Sequence, residues 1–213
     1  MKTILIIGAS RGIGLETVRQ ALDQGYEVRA FARSASEIPI THAELRKVNG
    51  DALKAEDVAA AVKGADAVIQ SLGAKASLGL VTSQTQLFSG ATRILIQAME
   101  SAGVRRLICV TGFGAGDSRE HMSLLLRLPF ELLLGRVYAD KAVQEAMIRR
   151  SALSWVIARP GILTNGPRTG RYKILDEPAE WRNGTISRAD VADFLVKQIQ
   201  DNAYLGKTPA LIG

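Results

Sequence analysis

The sequence predicts one α/β domain, a doubly wound parallel sheet with helices on both faces. Three observations predict it. Strand-like and helix-like stretches alternate along the whole chain. The strand-like stretches are nearly continuous apolar runs, as strands are when helices cover both sides of a sheet. The first of them runs straight into a glycine-rich turn, "GASRGIG" at 8–14, that opens the first helix.

The elements follow in order. "TILIIG" (3–8) is short, apolar and rich in β-branched residues, hence a strand. "GLETVRQALDQG" (14–25) sets Val18, Ala21 and Leu22 at helical spacing and stops at Gly25. "YEVRAFAR" (26–33) reads as a second strand and "AELRKVNGD" (43–51) as a third. "AEDVAAAVKG" (55–64) opens on acids and closes on Gly64, which suits a helix and its dipole. A strand at 66–73, a long helix at 84–103 and a strand at 105–112 follow. The helix "RVYADKAVQEAMIRRS" (136–151) precedes a strand at 154–161. An amphipathic helix at 187–201 has Ser187 as its N-cap, and "TPALIG" (208–213) reads as a last strand. Two segments, 112–135 and 161–186, read as loops on the side where such a sheet carries its ligand contacts.

The 213 residues, 47% of them hydrophobic, suffice for one sizeable core without a second domain. No apolar run approaches a membrane span. The opening "MKTILIIGAS" lacks a cleavage-site pattern, and a single cysteine, Cys109, excludes a disulfide framework, so a cytoplasmic home is expected. Lys and Arg outnumber Asp and Glu by 27 to 21, but in scattered groups rather than a stripe. That pattern argues against nucleic acid and suits a basic surface that holds an anionic ligand. His42 and His121 have no neighbours at metal-ligand spacing, so no metal site is expected.

The glycine turn carries the most chemistry. Gly8, Gly12 and Gly14 let the backbone turn tightly and approach a ligand closely. The helix amino terminus then offers free N–H groups to a pyrophosphate, with Ser10, Arg11 and Ile13 in the same turn. Strand, glycine turn and helix in this order make a Rossmann-type dinucleotide site. An NAD site usually places an acid at the end of the second strand, where this chain has "AFARS" and Arg33. Arg11, inside the glycine turn, could reach the same spot. Two guanidiniums and no acid suit a 2′-phosphate, so the expected cofactor is NADP (NADPH).

Through "GASRGIG", "NGDALKAEDVAAAVKGADAVIQSLG", "VTGFGAG", "KAVQEAMIRRSALSWVIARPGILT" and "ISRADVADFLV", the chain resembles the short-chain dehydrogenase/reductase superfamily. The nearer likeness is to its atypical branch, the NmrA-like and flavin-reductase-like NAD(P)-binding proteins. The resemblance implies roles. Asp51 and Ala52 would contact the adenine. Ser71, Leu72 and Gly73 would lie along the cofactor ribose. Thr111 would face the nicotinamide. Pro160, Gly161 and Ile162 would meet its carboxamide, and Lys141 would bond its ribose. All but the 160–162 segment have a plainer reading beside them: a turn or helix cap for Asp51, an ordinary turn for 71–73, a satisfied backbone group for Thr111 and a solvated helix lysine for Lys141.

One departure matters. The superfamily's catalytic tyrosine stands four residues before the lysine, where this chain has Val137; Tyr138 stands three before. A one-residue shift turns a helical side chain by about 100° and lifts it by about 1.5 Å. Tyr138 still shares a helix face with Lys141, but Val137 cannot give a proton to a ketone oxygen.

Thr111, Tyr138 and Lys141 are therefore the candidate catalytic residues of an NADPH-dependent reductase. Its acceptor, a flavin, quinone or similar small molecule, would need little acid help. A non-catalytic NADP(H)-binding sensor of the NmrA-like kind fits the same residues. A nucleotide-sugar epimerase fits less well, since such enzymes also use the missing tyrosine. The acceptor pocket is expected between 112–135, with Leu124 to Leu126 and Phe130, and 161–186, with Tyr172 and Trp181. The leucine runs fit core or a partner interface equally well. No nucleic-acid or membrane partner is expected, and the chain would act as a monomer or a homodimer.

Overall fold

In the computed structural model, residues 1–73, 86–121 and 124–213 are described, the side chains of 124–133 excepted. Ten strands and five helices are found among them. They are β1 (Thr3–Ile7), α1 (Gly12–Asp23), β2 (Glu27–Ala32), β3 (Leu45–Asn49), α2 (Ala55–Val62), β4 (Ala67–Gln70), α3 (Leu87–Ala102), β5 (Arg106–Val110), α4 (Leu124–Arg150), β6 (Ser154–Pro160), β7 (Ile162–Thr164), β8 (Lys173–Leu175), β9 (Thr185–Ser187), α5 (Arg188–Lys197) and β10 (Ala210–Ile212).

Eight strands form the main sheet in the order β3-β2-β1-β4-β5-β6-β10-β8. The pairs from β3 to β10 are parallel, and only the edge strand β8 runs antiparallel, to β10. The first six strands have the doubly wound Rossmann order, and it reverses between β1 and β4. The parallel strands therefore bring Gly8, Ser71, Thr111 and Gly161 to one end of the sheet, each just beyond the carboxyl end of its strand.

Alternation within β1 assigns its residues to two cores. Ile4 and Ile6 pack with Val18 and Leu22 of α1 and with Val191, Phe194 and Leu195 of α5. Leu5 and Ile7 face the other way and pack with Val58 of α2, Leu95 and Met99 of α3 and Ile148 of α4. All four β1 side chains are at most 1% exposed. Burying such a side chain stabilises by roughly 1.5–3 kcal/mol, so this central strand anchors both layers at once. Among the described residues no helix is long and apolar enough to cross a membrane.

The sequence reading needs two corrections. First, α4 begins at Leu124, not at 136, so the second half of the expected loop 112–135 is helix. The leucines there come in runs rather than at helical intervals, so no period marks them, yet leucine and glutamate favour helix. Second, 161–186 is not irregular. It holds β8 at the sheet edge and the separate parallel pair β7–β9. Strands of three residues are too short for an alternation to register.

Candidate functional site

The three glycines of the phosphate turn are required for different reasons. Gly8 has φ +86°, and a Cβ there would lie 2.6 Å from the Ser71 carbonyl oxygen. Gly12 has φ +57°. Gly14 packs so closely that a Cβ would lie 2.1 Å from the Gly8 carbonyl oxygen and 2.7 Å from Ser71 Oγ. The turn is tied to β2, since the N–H groups of Gly8 and Ala9 both donate to the Phe31 carbonyl, at 3.0 and 3.3 Å. Arg11, at the N-cap position of α1, makes no side-chain cap, so that side chain leaves the N–H groups of the first turn unsatisfied. This open helix end beside glycine-lined backbone fits a pyrophosphate. Ser10 is half-buried and Ile13 packs on the core behind the turn. Arg11 and Arg33 are exposed at its rim.

Next along the sheet end, the Ser71 N–H donates to the Ile7 carbonyl at 2.9 Å. Leu72 packs against the second core and Gly73 is exposed. Asp51 makes a local turn: its Oδ1 accepts from the Leu53 N–H at 3.0 Å, while its own N–H donates to Asp57 Oδ2. The plainer cap reading therefore holds for one oxygen of Asp51. Ala52 is buried in the second core.

Beyond β5, residues from α4 converge. Lys141 Nζ donates to the Thr111 carbonyl and lies 4.9 Å from the Phe88 ring centroid and 5.3 Å from that of Tyr138. Burial pushes its ammonium down to about 8, against the pull of Cys109 and Glu145. Val137 is buried, 5% exposed. The Tyr138 hydroxyl instead stands against the backbone just past β5, 2.6 Å from where a Cβ on Gly112 would be. Burial raises that phenol to about 12. Tyrosine and lysine thus meet at the strand end, as their spacing suggests. Thr111 is 2% exposed, and its hydroxyl donates to Glu145 Oε1 at 2.7 Å. The partner of the Thr111 hydroxyl is thus a side-chain carboxylate and not the backbone group of the plainer reading.

Glu145 belongs to an ion cluster that the sequence reading missed. Arg159, fully buried at 0%, donates from Nε to Glu145 Oε1 at 3.0 Å and from Nη2 to Oε2 at 2.5 Å. The same Nη2 lies 2.5 Å from Asp117 Oδ1. Burial alone would lower the Arg159 pKa, but these two acids outweigh it and raise it. The guanidinium also lies 4.8 Å from the Trp181 ring centroid. Trp181 is 7% exposed and packs with Phe113, Leu175, Ala210 and Ile212. The expected acceptor wall is therefore core at Trp181. Tyr172 likewise turns away: its hydroxyl donates to Asp193 and its ring meets Phe194. Phe130 and Leu124 to Leu126 lie outside the described side chains.

At the end of β6, Pro160 is buried and its carbonyl accepts from the Phe113 N–H at 2.9 Å. Gly161 is held so close to β9 that a Cβ would sit 2.3 Å from the Gly184 carbonyl oxygen. Ile162 is 62% exposed, an apolar side chain presented to solvent at the sheet end. A groove of about 560 Å³ runs along the flank of α1 from Gly12 to Asp23, facing 165–168 and Arg188. It shares only Gly12 with the phosphate turn.

Residues 8–202 match the NAD(P)H-binding family. The chain belongs to that family. This NAD(P)H-binding protein shares its fold with short-chain dehydrogenases/reductases. It is 30% identical over 205 residues to the uncharacterized sugar epimerase YhfK of Bacillus subtilis, covering 93% of this chain and 88% of that one. Among solved structures, it is 28% identical to ChuY, an anaerobilin reductase from Escherichia coli O157:H7, with a TM-score of 0.82 over 99% of this chain and 97% of that one. A short-chain dehydrogenase/reductase from Veillonella parvula, solved in complex with NADP, shares the fold with a TM-score of 0.82 at 19% identity, covering 100% of this chain and 94% of that one.

Proposed function

We propose that this protein is an NADPH-dependent reductase whose acceptor is a flavin, a quinone or a similar planar molecule. The observation that carries this reading is the exchange at the end of β5. Val137, at the superfamily's tyrosine position, is turned into the core, and the Tyr138 phenol stands beside Lys141 against Gly112. A bound NADPH supplies a hydride from C4 of its nicotinamide. The chain's part is to hold and orient it. Gly8, Gly12 and Gly14 admit the pyrophosphate to the open end of α1. Arg11 and Arg33 flank the turn where a 2′-phosphate would sit. Lys141 offers a half-buried cation for the ribose. Tyr138 keeps its proton across the physiological range, with its phenol raised to about 12. It is a weak acid and a hydrogen-bond donor, enough for an acceptor that takes hydride readily. ChuY adds anaerobilin to the acceptors worth testing.

The test is NADPH oxidation by the purified protein with FMN, FAD, a simple quinone and anaerobilin in turn. Turnover that is lost in Lys141→Ala supports the reading. Tight NADPH binding with no turnover by any acceptor favours a second reading, a non-catalytic NADP(H) sensor. The Thr111 hydroxyl, already committed to Glu145, is the observation on that side.

A further inference from the structure

We propose that Arg188 is a ligand of the cofactor pyrophosphate, brought to the phosphate turn from the other end of the chain. The proposal rests on the cofactor reading above. Arg188 is the first residue of α5, directly after Ser187, whose Oγ accepts the Asp190 N–H at 2.9 Å and fixes the helix start. Gln20 of α1 pins the two helices together by donating to the Ala189 carbonyl at 2.8 Å. As a result, the Arg188 side chain crosses the opening of α1. Its Cδ and Nε lie 3.8 Å from where a Cβ on Gly12 would be.

The placement of this charge is unfavourable as it stands. A cation in the first turn of a helix opposes the helix dipole. Arg188 occupies that position on α5 and faces the equally positive end of α1 as well. Its hydrogen-bond partners do not cancel the charge. Nη1 donates to the Thr164 carbonyl at 3.1 Å and to Asn165 Oδ1 at 2.6 Å, both neutral oxygens. Among the described residues no carboxylate forms an ion pair with it. Glu16 on the neighbouring face of α1 is paired with Arg19. An anion between the two helix ends would satisfy both dipoles and the guanidinium together. Nε, on the Gly12 side, is the atom placed to donate to it. The Nη1 bonds hold the fork in position from the Thr164–Asn165 side, so little ordering is left for binding.

A pyrophosphate is common to NADPH, NADH and ADP-ribose, whereas the 2′-phosphate belongs to NADPH alone. Titration of all three into wild type, Arg188→Met and Asn165→Ala therefore tests the assignment. Arg188→Met is expected to raise the Kd of all three by a similar factor, about tenfold. Asn165→Ala, which removes a side-chain anchor and keeps the charge, should change them far less. Equal weakening in both variants would reduce Arg188 to a support of the loop and overturn the proposal. So would no change in Arg188→Met, or a loss confined to NADPH. If wild type binds none of the three, the cofactor reading itself fails, whatever Arg188 does.

Discussion

Lys141 sits where a single charge decides how the site behaves with pH. Its ammonium is pushed down to about 8 by burial, so it is cationic below that value and neutral above it. An anionic dinucleotide favours the cation, so NADPH affinity should be greatest below about pH 8 and fall as the pH rises from there. Calorimetric titration across that window checks this, and Lys141→Met should flatten the profile. Arg33 makes a different claim. Arg33→Ala should weaken NADPH much more than NADH, and equal losses would remove its 2′-phosphate role. Glu145 gives a stability claim. Glu145→Ala leaves the fully buried Arg159 with Asp117 as its acid partner, and should cost about 3 kcal/mol in urea denaturation. Replacing Glu145 and Arg159 together by methionine should recover most of it. The glycine turn was legible in the sequence because a turn is local, whereas Lys141 was marked only by the family resemblance, since by spacing alone it reads as a solvated helix lysine. Arg188 was not legible, because it meets Gly12 across most of the chain, and nothing near Ser187 marks that meeting.

Among the elements, the segment between β7 and β8 depends most on one helix. Asp190 of α5 accepts from the Thr169 N–H at 2.7 Å, the Thr169 hydroxyl at 2.9 Å and the Gly170 N–H at 2.8 Å. Asp193 takes Arg168, Tyr172 and Lys197. Burial alone would raise the Asp190 pKa, but the hydrogen bonds from Gly170, Thr169 and Ser187 outweigh it and hold it below the usual range. A depressed carboxylate stabilises above its ordinary value of about 4 and loses that contribution as the pH falls through the lower folded value. The segment should thus stay docked at neutral pH and loosen only in strong acid. Asp190→Ala should loosen it at neutral pH, seen as faster amide exchange at Thr169 and Gly170 with α1 unaffected. Equal exchange in the variant would mean that Asp193 holds the segment alone. The sequence carried the start of α5, through its Ser187 cap, but not the strands before it. β7, β8 and β9 are three residues each and take their shape from partners elsewhere.

For the whole molecule, the division of labour follows the sheet. β1 to β5 carry the phosphate turn and the residues at the β4 and β5 ends, and these strands and the doubly wound class were readable from β-α alternation and continuous apolar runs. The other side, β6, β10 and β8, is built from pieces far apart in the chain, and only β6 and a last strand were legible there. β10 pairs with β6 on one edge and β8 on the other, and its three residues are at most 5% exposed. Removing 208–213 should therefore unfold the β6 side and not merely fray an end. Circular dichroism and loss of the Trp181 fluorescence environment would register it, and a native spectrum would refute it.

The same pairing bears on how the protein is made. Strands β1 to β5 find their neighbours early, as each emerges soon after the strand it joins or beside one already present. β6 has one partner in β5 at once, but its other edge waits for β10, which follows after β7, β8, β9 and α5. A nascent chain therefore carries an open row of N–H and C=O groups along β6 until β10 is free to pair with it. Such an edge invites pairing with a second chain. On a crowded polysome, neighbouring unfinished copies offer each other that strand. Folding yield in a cell should thus depend on how fast the stretch from β7 to β10 clears the ribosome, a kinetic exposure that the finished sheet no longer carries.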